Sequence, residues 1–204
     1  MNTKEKVNKS NPKKLKSYKL QAGFTLIEAV VSAGVFALAA TSIVGVYTSI
    51  QRINSRARAL EAIEQNIRFI NSDLTKLISN GSIDYARYTG GSVPQPSTPD
   101  LYLSDESGQQ VYIHLSSLAP FDSLMIEKGA IPNTSVYNSQ DVKVLNFKVY
   151  IAPATNPLVS GPGAPNEQPT VTIFIEFQAN LGGRDAVRQT YQTTVATKQY
   201  PELF

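Results

Sequence analysis

From residue 29 to residue 50 the chain runs 22 residues without a charge. At about 1.5 Å of rise per residue, a helix of that length is about 33 Å long and crosses the hydrocarbon of a bilayer. Few folds accommodate such a segment, so it constrains everything around it. On its N-terminal side lie residues 1–23, which hold seven Lys and one Glu and carry a net charge of +6. The whole chain is +3, so residues 24–204 carry −3 by subtraction. The basic pI therefore belongs to the tail and argues against a nucleic-acid-binding body. With almost no apolar content, the tail cannot bury enough surface to fold alone. Lys-rich flanks stay cytoplasmic, which predicts the C-terminal body on the far side of the membrane.

A secretory signal peptide is the first alternative, with Ala33, Ala37, Ala39 and Ala40 available for a small-x-small cleavage site. Two features weigh against it. The apolar run is long for such a signal, and it has Glu28 near its start. A carboxylate there costs about 2.5–3.5 kcal/mol at bilayer depth and somewhat less near the interface. Such a residue needs a compensating partner.

Gly23-Phe24-Thr25-Leu26-Ile27-Glu28 follows a Lys-rich leader and precedes the apolar run. This arrangement resembles the cleavage and methylation signal of type IV prepilins and pseudopilins. The resemblance covers residues 16–50 closely and the rest only in general architecture. It implies cutting after Gly23 by a membrane aspartyl peptidase, the prepilin peptidase, and N-methylation of the new terminus at Phe24. Glycine suits a cleavage site that needs close backbone approach. It also implies that Glu28 is the assembly glutamate, which neutralises the N-terminal amine of a neighbouring pilin subunit. Carboxylate and ammonium attract strongly in low dielectric, and each alone is expensive to bury. Many major pilins carry a proline part-way along this helix, where Gly34 and Gly45 stand here. Gly weakens the helix or allows close helix packing in the membrane.

Beyond Ile50 the chain turns polar but keeps a helical period. Ile53, Leu60, Ile63, Ile67, Ile70, Leu74 and Leu77 form an apolar stripe, and no Pro or Gly interrupts residues 46–80. Asn80-Gly81 is a stop signal, with Gly81 able to take the left-handed C′ conformation. The reading is one helix from about Phe24 to Ser79, about 80 Å long. The stripe suits packing on a sheet better than a coiled-coil dimer, being under four heptads. Arg52, Arg56, Arg58 and Arg68 lie on this half. They contact headgroups or a neighbour's carboxylates, or neutralise phosphate in a DNA-binding reading that the acidic body disfavours.

The remainder reads as strands between turns. Residues 101–103 and 111–115 form a hairpin around residues 105–108, and residues 124–127 form a short strand ended by Lys128-Gly129. Residues 142–151 alternate, with Lys143, Leu145, Phe147, Val149 and Ile151 expected toward the core. Residues 153–169 are a Pro/Gly/Ala loop. Residues 170–178 and 187–197, joined at Gly182-Gly183, form the clearest hairpin. Five or six antiparallel strands laid on one helix give an α+β fold. Four regions follow: leader 1–23, membrane or filament-core half 24–50, amphipathic half 51–80, and β-sheet head 81–204. Tyr85, Tyr88, Gly90-Gly91 and Pro94-Gln95-Pro96 fall in the helix-to-sheet loop, which the resemblance assigns to subunit contacts.

Little suggests chemistry. There is no Cys and one His, which excludes thiol catalysis, disulfides and multi-His metal sites. His114 reads as an ordinary strand residue. Asp100, Asp105 and Glu106 are oxygen donors, but the calcium-loop spacing is absent, so neither metal nor cofactor is expected. The resemblance therefore implies a non-enzymatic structural subunit, a minor pilin or pseudopilin of a pilus-like or type II secretion-like filament. Its partners would be the peptidase, other pilin subunits through the N-terminal helix, the membrane and, indirectly, an assembly platform and ATPase. The Cys-free head and long loops favour a minor over a major subunit, and retention of Glu28 disfavours a tip pseudopilin. The rivals are a membrane-anchored extracytoplasmic module and a DNA-uptake receptor pilin.

Overall fold

A computed structural model describes residues 23–116, 123–129, 133–157, 167–179 and 186–198. The leader up to residue 22, most of the Pro-rich loop and the Gly182-Gly183 turn lie outside the described residues. Among the described residues one α-helix, α1 (Leu26–Asn80), is followed by eight strands, with two short 3-10 turns (Tyr85–Arg87 and Thr89–Gly91) after the first strand. The strands are β1 (Ser82–Ile83), β2 (Asp100–Ser104), β3 (Gln110–Ser116), β4 (Ser123–Lys128), β5 (Asn133–Val136), β6 (Val142–Ala152), β7 (Thr170–Ala179) and β8 (Val187–Ala196). The chain divides into two units, Met1–Tyr47 and Thr48–Phe204.

In the second unit the C-terminal half of α1 packs on antiparallel sheets, so the fold is α+β. The strands form two meanders rather than one sheet: five strands in the order β1-β2-β3-β4-β5 and three in the order β6-β7-β8. The expected hairpins are present, with Leu101 opposite Ile113 in β2–β3 and Ile173 opposite Thr193 in β7–β8. Sequence reasoning missed β1 and β5 because they are short and polar.

Helix and both sheets share one apolar cluster. From α1 come Ala59, Ile63, Ile70, Leu74 and Ile78, all at most 2% exposed. This corrects the expected stripe. Ile53 is 67% and Leu60 37% exposed, whereas Ala59 and Ile78 are buried. Steps of three and four along 59, 63, 66, 70, 74 and 78 trace one helix face, and a small Ala and a polar Asn on that face hid it from a search for large apolar residues.

Strand alternation explains most of the sheet contribution. Val171, Ile173, Ile175 and Phe177 of β7 point inward and are fully buried. The β6 expectation needs correcting. Val142 and Val144 are buried, then Phe147, Val149 and Ile151, and the register shifts between Val144 and Asn146. The extra residue, Leu145, reverses the phase. Strict alternation from Ile151 backward puts Lys143 in the core; the bulge exchanges it for two valines.

Gly81 does not take the left-handed conformation open to it. Its amide donates to Leu77 O at 2.9 Å. A Cβ there would meet Ser104 O at 2.5 Å and Leu77 O at 2.6 Å. Glycine is required because β2 crosses the helix end at close range.

Candidate functional site

Gly23, Phe24 and Thr25 precede the helix in non-helical conformation, and α1 begins at Leu26. The amide and hydroxyl of Thr25 both donate to Glu28 Oε2, at 3.0 and 2.9 Å. The amide of Glu28 donates back to Thr25 Oγ1 at 3.3 Å, and Ala29 N closes the first turn on Thr25 O at 3.1 Å. This is a capping box, with Thr25 as N-cap and Glu28 at the third helical position. It satisfies amides that a helix start otherwise leaves bare, and a carboxylate there complements the helix dipole. The Thr-x-x-Glu spacing carried this signal in the sequence, although sequence reasoning weighed Glu28 only for its charge.

Phe24 is 80% exposed, and Leu26, Val30, Val35, Phe36 and Ile43 are exposed as well. Apolar residues therefore face outward on every side of the helix, as in a segment solvated by lipid. Two hydroxyls within it, those of Thr41 and Ser42, are satisfied by the helix itself. Thr41 Oγ1 donates to Ala37 O and Leu38 O, and Ser42 Oγ donates to Leu38 O. Such back-bonding suits hydrocarbon, where no water replaces a missing partner. A Cβ at Gly34 or Gly45 would meet nothing within 4 Å. The helix is long and apolar enough to cross a membrane.

The other singled-out residues do not join this end. Arg68 pairs with Glu64 at 3.6 Å, while Arg52, Arg56 and Arg58 are exposed. His114 stacks on Tyr112 at 4.3 Å, and Tyr112 on Tyr102 at 4.7 Å. Asp100 Oδ1 accepts from the Tyr112 hydroxyl at 2.7 Å. Burial first, and that bond second, push the Tyr112 hydroxyl well above its ordinary pKa. Asp105 Oδ1 accepts from the Ser107 hydroxyl and from the amides of Ser107 and Gln109. These donors, led by the hydroxyl, hold its carboxyl below the usual range. Both aspartates thus serve the β2–β3 hairpin and its tyrosine stack. Among the described residues no three His, Cys, Asp or Glu side chains gather in one place.

In the helix-to-sheet loop Gly90, Gly91, Pro94, Gln95 and Pro96 are exposed, whereas Tyr85 and Tyr88 are not. Both are buried rather than offered to a partner. Tyr85 donates to Pro153 O at 3.1 Å, and burial pushes its hydroxyl pKa up to about 12. Tyr88 donates to Asp100 O and accepts from Tyr102 N. The loop ahead of β2 is thereby fastened to both sheets.

Residues 18–44 match the family model of the prokaryotic N-terminal methylation motif. The resemblance read from residues 23–28 is borne out at the level of that motif. No curated protein and no solved structure matches the chain. Motif and outward-facing apolar helix together support membrane anchoring through this segment.

Proposed function

We propose that the chain is a structural subunit, a minor pilin or pseudopilin, of a type IV pilus-like or type II secretion-like filament. Prepilin peptidase removes residues 1–23, Phe24 becomes the methylated N-terminus, and Glu28 serves assembly. The head stands outside the cytoplasm, first on the membrane and then on the filament, where neighbouring subunits meet through their N-terminal helices. One observation carries the reading: the methylation motif spans a capped, lipid-suited helix start. There the Glu28 carboxylate is already turned toward the chain's own N-terminal side. A neighbour's ammonium would replace the Thr25 donors as its partner.

Two experiments test this. The intact mass and N-terminal sequence of the protein from its native membrane are expected to give a terminus at Phe24, methylated. An intact leader, or a cut beyond the apolar run, returns the anchored extracytoplasmic module to the front. Glu28→Ala is expected to retain cleavage and lose incorporation into sheared filaments. Incorporation at the wild-type level would remove the assembly role.

A further inference from the structure

Between the apolar run ending at Ile50 and the first buried helix residue, Ala59, α1 passes through residues 51–58, Gln-Arg-Ile-Asn-Ser-Arg-Ala-Arg. Arg52, Arg56 and Arg58 are all exposed. The other described arginines have partners: Arg68 with Glu64, Arg188 with Glu176, and Arg87 with Gln110 and the Tyr102 ring. Among the described residues, these three have none. No carboxylate occurs between Glu28 and Glu61, so the segment is basic without local compensation.

Their directions matter. At about 100° per residue, Arg52 and Arg56 lie about 40° apart, in line with Ala59 and Ile63 on the face that sinks into the core. Arg58 points about 120° away from Arg52 on the other side. A protein docking against one face reaches some of these guanidinium groups but not all. A lipid headgroup layer surrounds the helix and reaches every one. Position agrees: the segment begins where about 33 Å of apolar helix ends, and its eight residues span about 12 Å along the interface. Guanidinium binds phosphate oxygens in a bidentate fork and is weakly hydrated, which favours this contact over an ammonium.

We propose that Arg52, Arg56 and Arg58 form a collar that binds the phosphates of anionic lipids at the membrane surface opposite the Lys-rich tail. The collar's +3 is outweighed by the tail's +6, so the charge bias that orients the helix is kept. The assignment rests on residues 29–50 spanning a bilayer. It does not require cleavage after Gly23 or filament assembly, so the tests of those steps neither support nor overturn it.

The experiment uses the full-length chain in phosphatidylcholine vesicles with spin-labelled phosphatidylglycerol or phosphatidylcholine as probe. Electron paramagnetic resonance reads the relative association of each probe with the protein. The triple variant Arg52→Gln/Arg56→Gln/Arg58→Gln is compared with wild type, so the tail's contribution cancels. Selectivity for phosphatidylglycerol is expected to fall by up to roughly fivefold per arginine removed at low salt. It should fall only partway in the triple Arg→Lys variant, which keeps the charge and loses the fork, and shrink in high salt. Because the sites are exposed, circular dichroism should match across all three proteins. Equal selectivity in wild type and the Gln variant overturns the proposal. So does displacement of the lipid probe by inorganic phosphate at constant ionic strength, which would assign the collar to a free anion.

Discussion

Asn66 shows how much one side chain can organise. It lies on the buried face of α1, 8% exposed. Its amide group donates to Ala62 O at 2.7 Å and Ser139 Oγ at 3.1 Å, and its oxygen accepts from Ser139 N at 2.8 Å. Next to it, Asn138 accepts from Leu124 N and donates to Val142 O, and Tyr137 donates to Asp73 Oδ2 at 2.6 Å. The turn between β5 and β6 is thus clasped to the helix by polar groups, in addition to the buried Tyr137 ring that meets Phe69 edge-on. Asn66→Ala leaves the Ser139 amide without its acceptor, which costs about 1–3 kcal/mol. The melting temperature is expected to fall by roughly 2–4 °C per kcal/mol. A calorimetric scan with no shift would show the clasp to be idle. None of this was legible in the sequence: Asn66 and Ser139 are 73 residues apart, and asparagine among helix polar residues carries no mark of its partner. The Thr25–Glu28 pair is the opposite case, because its geometry follows from local spacing alone.

At the scale of elements, α1 was legible almost to the residue, with bounds of Leu26–Asn80 against an expected 24–79. A long period free of Pro and Gly leaves a helix little alternative. The hairpins were legible because their apolar residues alternate between turns. The β6 phase was not, since a bulge breaks the very periodicity used to assign faces. The helix end depended on a contact that sequence cannot place, the passage of Ser104 O over Gly81. Gly81→Ala is therefore expected to destabilise the head by about 1–3 kcal/mol through crowding against two backbone oxygens. A urea titration of the variant checks this. An unchanged midpoint would mean that β2 moves aside freely.

For the whole head, buried tyrosines set a limit on the alkaline side. Tyr85, Tyr88 and Tyr137 are buried, and burial raises all three hydroxyl pKa values; for Tyr137 the bond to Asp73 adds to it. In the unfolded chain they ionise at about pH 10. Below that pH neither state loses these protons, and the associated stability is fully present. Above it the unfolded chain releases protons that the folded head retains, so stability falls as pH rises. The urea midpoint should be flat with respect to these groups below about pH 9 and decline above about pH 10. Tyr137→Phe is expected to start less stable and decline less steeply. Parallel declines in the two proteins would discharge Tyr137 from this role.

Among the described residues the buried cluster runs from Ala59 to Val195 and takes nothing from residues 23–58. The chain is therefore under two selections that barely overlap. Substitutions that keep the span apolar leave the folding of the head untouched, and substitutions that repack the head leave the span as it was. Each half can change to suit its own surroundings, lipid and neighbours for one and whatever the head meets for the other. The bare arginine segment is the stretch of helix where the two demands meet.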